Sequence, residues 1–266
     1  MPKIYHCFPG GRHKVLTLSY DDGKVADRRL IAIFNRYGIK ATFHLNSGLM
    51  EQSIRIPREE IRSLYQGHEV AAHTLTHPTI ARCPMDQVVQ EILNDRMQLE
   101  EIVGYPVRGL SYPNGSYNNA IREVLPHLGI EYARTVHEHG QFTMPQDFYT
   151  WQATCHHNHN LMELAKTFAG LAKTQYFYMM YVWGHSYEFD NDNNWEVIEE
   201  FCEFIGNRED IWYATNIEIV DYMKALNNLK FTAAGTMVYN PSAMSVWISV
   251  DDQPTEIPGG SHVRLK

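Results

Sequence analysis

Lys14-Val15-Leu16-Thr17-Leu18-Ser19-Tyr20 runs directly into Asp21-Asp22-Gly23. The first seven residues form a β-rich run without a helical apolar period, and Asp-Asp-Gly is a turn sequence that ends it. Residues 27–37 then fit a helix, with Leu30, Ile31, Ile33 and Phe34 on its buried side and Gly38 as its stop. A strand that delivers two carboxylates to its C-terminal end and feeds a helix is a βα unit, and the pattern repeats outward along the chain.

Further strands are expected at 41–45, 69–72, 109–112, 130–134, 176–183 and 211–214. Helices are expected at 57–66, 84–103, 118–128, 161–173, 195–205 and 217–226. The helix over 84–103 is amphipathic, with Val88, Ile92, Met97, Leu99 and Ile102 as its apolar positions. The run 176–183 is apolar without interruption, as in a strand buried on both faces. Residues 138–160 lack periodicity and read as a long loop, which in a compact domain is often functional.

After about Lys230 the character changes. Short strand candidates at 231–232, 236–240, 246–250 and 262–265 are joined by Gly, Pro, Asn and Asp turns. The expected division is a barrel over 1–229 and a small antiparallel β-rich appendage over 230–266 packed on it.

The 266 residues suffice to bury a full core without a disulfide or metal staple. A formal charge of -8 argues against a nucleic-acid partner and gives no reason to expect an anionic membrane surface. Cys7, Cys83, Cys155 and Cys202 lie far apart and form no CxxC pair, so no disulfide framework is expected. No apolar run approaches the ~18 residues of a membrane span, and the N-terminus shows no signal-peptide pattern. A cytoplasmic location is the expectation. The aromatic share of 12% would suit sugar stacking, but most of these side chains are expected in the core.

Position and residue type together carry the chemistry. Asp21 and Asp22 follow the first strand, His73 and His77 the third, residues 112–115 end the fourth, and His185 follows the run at 176–183. In a parallel α/β barrel those strand ends share one face, where active sites form. Two imidazoles four residues apart can share one face of a helical turn, and a carboxylate from another strand completes a facial metal-binding set. Asp21 and Asp22 diverge on an extended backbone, so one can ligate while the other stays free as a base.

SYDDG at 19–23, HTLTH at 73–77, YPNG at 112–115 and WGH at 183–185 resemble, in order and spacing, the motifs of the polysaccharide deacetylase (NodB-like, carbohydrate esterase family 4) family. The resemblance spans roughly residues 14–186 and rests chiefly on its first two motifs. It implies an irregular α/β barrel of about seven βα units. It implies Asp21 as general base, Asp22, His73 and His77 as metal ligands, and His185 as the acid that protonates the leaving amine. The backbone N–H of Asn114, after Tyr112 and Pro113, would donate to the oxyanion, and Trp151 and Trp183 would contact substrate. The implied cofactor is a divalent metal, zinc by resemblance, with cobalt, nickel or iron as alternatives. The implied partner is an acetylated carbohydrate; oligomeric state is not readable.

Three departures stand out. Ser111 occupies the position two before the Pro where the family commonly has an Arg that holds the base, leaving Arg108 and Arg134 as candidates for that task. Asp147, four residues before Trp151, is the candidate partner for His185. Trp183 replaces the usual Leu of the last motif. A separate cluster, Cys155-His156-His157-Asn158-His159, reads as a surface or cleft-lining group rather than as a second metal site. The function expected is removal of acetyl from N-acetylated amino sugars. The alternatives are an O-acetyl (xylan-type) esterase and a non-catalytic carbohydrate-binding relative.

Overall fold

The computed structural model describes residues 2–265. After β1 (Ile4–Cys7), the parallel strands are β2 (Lys14–Asp21), β3 (Thr42–Leu45), β4 (Glu69–Ala72), β5 (Gly109–Ser111), β6 (Tyr132–Glu138), β7 (Trp151–Ala153), β8 (Cys155–His156), β9 (Tyr178–Gly184) and β10 (Ile211–Tyr213). Helices α1 (Asp27–Arg36), α2 (Arg58–Leu64), α3 (Met85–Val103), α4 (Asn119–Val124), α5 (Leu161–Gly170), α6 (Ser186–Asn191), α7 (Trp195–Ile205) and α8 (Asn216–Asn227) lie between or after them.

The sheet order is β7-β6-β5-β4-β3-β2-β9-β8, with β10 beside β2, and every pairing is parallel. The two path ends, β7 and β8, are separated in sequence only by Thr154. β7 pairs β6 and β8 pairs β9, so this one extended segment curls the sheet into a barrel. Thr154 N donates to Tyr181 O at 2.8 Å across the junction. The region expected as a long loop therefore contains the barrel's closure. Its pairings are two or three residues long and one flank is polar, which hides the strand pattern.

Strand alternation sorts the interior into two cores. Leu16, Leu18 and Tyr20 of β2 face the helices with Phe43, Met180 and Val182. Val15, Ala71, Tyr132, Trp151, Met179 and Tyr181 face the lumen and meet Ile219, Val220 and Leu226 of α8. α8 starts with a capping box in which Thr215 and Glu218 satisfy each other's backbone N–H groups. Met97, expected on the apolar side of α3, points to solvent at 57% exposure, while Glu91 and Asp95 take buried positions on that helix.

The separate antiparallel sheets of the C-terminal region comprise β11 (Lys230–Phe231), β12 (Met237–Tyr239), β13 (Val246–Val250), β14 (Gln253–Ile257) and β15 (His262–Arg264). β1 joins them, pairing antiparallel with β13 from Ile4↔Val250 to Cys7↔Trp247. Neither β1 nor β14 was expected from the sequence. No helix among the described residues is long and apolar enough to cross a membrane. All four cysteines are free.

Candidate active site

Asp21 is the last inward-facing residue of β2 and is 2% exposed. Arg134 Nη2 donates to its Oδ2, and Ser111 Oγ donates to its Oδ1 at 3.2 Å. His44 Nδ1 stands 3.3 Å from Oδ1. Burial alone would raise this carboxyl's pKa, but the Arg134 guanidinium, with His73 and His44, holds it well below the usual carboxylate range. The missing motif arginine is thus replaced from the neighbouring strand, because Arg134 on β6 lies in register opposite Ser111 on β5. Ser111 itself bridges Asp21 and His73. Arg108 plays no part: it pairs bidentately with Asp221 at 2.8 and 2.6 Å and with Glu131.

Asp22, His73 and His77 present ligand atoms that all lie within 4.8 Å of one another. The expected helical turn over 73–77 is absent. The segment is irregular, with Thr74 at φ 65 and His77 at φ 61, yet the two rings meet with centroids 4.7 Å apart. Asp22 is at φ 82 and Asn114 at φ 56, so three of the expected functional residues occupy the left-handed region. For the β-branched Thr74 that conformation is costly, and such strain persists only where neighbours over-determine it.

Here the neighbours come from α3. Asp95 accepts His73 N at 3.0 Å and Ser47 N at 2.7 Å; Glu91, one turn earlier, accepts Thr76 N at 2.8 Å. Asn46 Nδ2 donates to His73 O and Thr74 O, and Arg55 donates to Asn46 Oδ1 and to the Asp22 carbonyl. Sequence reasoning missed all four; the acids at i, i+4 within the apolar stripe of α3 were the available signal.

The donor set fits a divalent cation. His73 Nδ1 lies 2.9 Å from Ser111 O, which fixes the tautomer and leaves the Nε2 lone pair free to take a cation. Burial lowers the pKa of His73 to about 4, so the ring is neutral at working pH, as a ligand must be.

His185 follows β9, at the same end of the barrel. Its Nδ1 is 3.2 Å from Glu188 Oε1. Burial acts to lower its pKa, but Glu188, Asp21 and Asp22 outweigh it and the net shift is upward. Asp147 is not its partner: that carboxylate accepts Arg122 Nε at 2.6 Å and caps Tyr149 N. Trp183 lies beside the site, with Arg134 Cζ 4.5 Å from its ring centroid and the His185 ring at 5.8 Å. Trp151 does not contact ligand-accessible space. It is 0% exposed, packed among Tyr132, Phe148 and Tyr181. Tyr112 is likewise buried, stacked on Tyr117 with its hydroxyl donating to Tyr149 O, and Pro113 is buried beside it. Asn114 is exposed at the turn.

The polysaccharide deacetylase family model matches residues 9–133. Among curated relatives, the peptidoglycan-N-acetylglucosamine deacetylase of Bacillus cereus is 27% identical over 116 residues, 42% of this chain and 41% of that protein. The chitooligosaccharide deacetylase of Rhizobium leguminosarum bv. phaseoli is 31% identical over 114 residues, 41% of this chain and 47% of that protein. The matched segment thus spans less than half of either relative. In fold, a structure from Mycobacterium smegmatis ascribed to a polysaccharide deacetylase aligns over 85% of this chain and 96% of its own, with a TM-score of 0.63 at 18% identity. The Xyl-CE4 domain of a multidomain xylanase from the hindgut metagenome of Trinervitermes trinervoides aligns over 80% and 92%, with a TM-score of 0.56 at 18% identity. Over residues 9–133, somewhat less than half of its length, the chain is thus similar to the polysaccharide deacetylase family, and its barrel has the fold of these solved structures.

Proposed function

We propose that this chain is a metal-dependent hydrolase that removes acetyl groups from N-acetylated amino sugars in oligo- or polysaccharides. The observation that carries this reading is the meeting at one barrel end of a buried ionised carboxylate, Asp21, with the facial group Asp22, His73 and His77. The names of the curated relatives, which refer to peptidoglycan and chitooligosaccharide, support an N-acetylated sugar as substrate. The barrel over 1–229 would carry the reaction, and the sheets of 230–266 would cover its flank.

A divalent cation, zinc in this reading, would polarise the acetyl carbonyl and acidify an attacking water. Asp21 is the base: it is ionised, and its partners Arg134 and Ser111 fix its orientation. The backbone N–H of Asn114 would donate to the oxyanion. An amine leaves poorly as an anion, so His185, with its pKa raised, delivers the proton as the C–N bond breaks. Trp183 would wall the acetyl pocket.

Acetate release from an N-acetylglucosamine oligomer by Asp21→Asn and His185→Ala tests these roles. Each variant is expected to lose about 10²–10⁴-fold in kcat while still binding metal. Near-wild-type turnover in either would remove that residue from the reaction.

A further inference from the structure

The deacetylase reading leaves the histidine cluster of β8 and the following turn without a task, and the acid His185 without the partner expected at Asp147. One carboxylate answers both. Glu188 stands three residues after His185 in the first turn of α6, and its Oε2 accepts the His185 backbone N–H at 3.1 Å. Its Oε1 lies 3.2 Å from His185 Nδ1. The same Oε2 also has His156 Nε2 at 3.1 Å and His157 Nε2 at 3.3 Å.

His156, His157 and Glu188 also satisfy the spacing of a metal site. The hydrogen bonds argue otherwise. Asn158 N donates to His156 Nδ1 at 3.2 Å, so in the neutral ring the proton sits on Nε2, which faces Glu188 as a donor and cannot ligate. His157 is wedged between Tyr20 and Phe189, with ring centroids 5.7 and 4.1 Å away. Gly184 makes room for it, since a Cβ there would fall 2.0 Å from His157 Nδ1. His156 packs edge-on against Trp183 at 4.8 Å. The cluster therefore packs its imidazoles against Glu188 rather than offering them to a metal.

We propose that Glu188, braced by His156 and His157, is the positioning residue that orients His185 for proton delivery to the leaving amine. This rests on the reading of His185 as the acid. It relocates the orienting carboxylate from the loop before β7 to the first turn of the helix that His185 itself caps. Both oxygens are used: one fixes the backbone at His185 and the other faces its ring. The groups facing His185 are Glu188 and Tyr187 from its own segment, His156 and His157 from β8 and its turn, and Asp21 and Asp22 from β2 and its end. Among these, Glu188 has the nearest carboxylate to the ring nitrogen, and the carboxylates at Asp21 and Asp22 act over longer distances.

The test combines kinetics on an N-acetylglucosamine oligomer with a direct ¹⁵N NMR titration of the His185 imidazole, its signals assigned by their loss in His185→Ala. Glu188→Gln keeps an acceptor for the His185 N–H, so α6 retains its cap. It is expected to lower kcat about 10²-fold with KM changed less than about 3-fold. The His185 titration and the alkaline limb of the rate profile should both move to lower pH. Glu188→Asp should recover part of kcat. His156→Gln, which leaves Glu188 in place, should shift the His185 titration by a smaller amount in the same direction. An unmoved His185 titration in Glu188→Gln would overturn the proposal. A shifted titration in a chain whose His185→Ala variant still turns over would instead overturn the assignment of His185 as the acid, and with it the use of the brace in catalysis.

Discussion

At the residue scale, the charges around Asp21 are the most consequential feature of the site. A carboxylate this deeply buried would be protonated without a cation, and Arg134 is the group that keeps it ionised. Because the pKa of Asp21 is depressed, its ionised form persists through neutrality, and the base function proposed for it should be lost only as the pH falls well into the acid range. Arg134→Met should therefore lower kcat/KM by about 10²-fold at neutral pH and move the acid limb of the rate profile upward. Arg134→Lys should restore part of both, and a rate profile unchanged in Arg134→Met would contradict the pairing. The convergence of Asp21, Asp22, His73 and His77 at one barrel end was legible because the motif residues stand at strand ends in this spacing. Their partners were not. Arg134 reaches Asp21 only through strand register opposite Ser111, which no local pattern encodes. Glu188 did leave a trace, since a residue at N3 that can reach back to the cap is a helix-start signature.

At the scale of elements, the lumen contains acids that must be neutral or fully partnered. Glu69 at the start of β4 accepts from Thr42 Oγ1 at 2.8 Å, Tyr132 OH at 2.8 Å and Ile217 N at 2.9 Å, tying β3, β4, β6 and α8 together. Burial raises its pKa to about 7 despite those bonds. A carboxyl whose folded-state pKa is raised contributes stability below its unfolded value that is lost as pH rises through the folded value. The thermal midpoint should accordingly fall from about pH 5 to about pH 8, and Glu69→Gln should flatten that slope. A Glu69→Gln variant with the wild-type slope would show that Glu69 titrates normally. The helices and the longer strands were readable from their apolar periods, as with Leu30, Ile31, Ile33 and Phe34 of α1. The closing segment β7–β8 was not, because Gln152 is exposed between the buried Trp151 and Ala153 and each pairing is short. The 73–77 segment was misjudged as a helical turn, since its shape is imposed by Glu91 and Asp95 of α3 rather than by its own residues.

At the scale of the whole molecule, the C-terminal sheets and the N-terminal strand are joined to the barrel by a shared core. Val246, Ile248 and Ile257 belong to the same cluster as Phe8, Tyr222 and Leu226. Tyr222 OH donates to Cys7 O at 2.7 Å and accepts Trp247 N at 2.9 Å. Ending the chain after residue 229 would uncover several side chains, each worth about 1.5–3 kcal/mol when buried. The shortened chain should show a much lower thermal midpoint or aggregate, and one that melts like the full chain would show the sheets to be independent. The change in character after Lys230 was legible in its turn residues; that β1 completes this sheet was not, since strands paired across the length of a chain leave no local signal. The proposed metal-dependent N-deacetylation of an amino sugar is tested most directly by acetate release from N-acetylglucosamine oligomers and from acetylated xylan, after chelation and again after zinc or cobalt is restored. Release from the amino sugar should disappear on chelation and return with metal. Release from xylan alone, or release from the amino sugar that chelation leaves untouched, would contradict that reading.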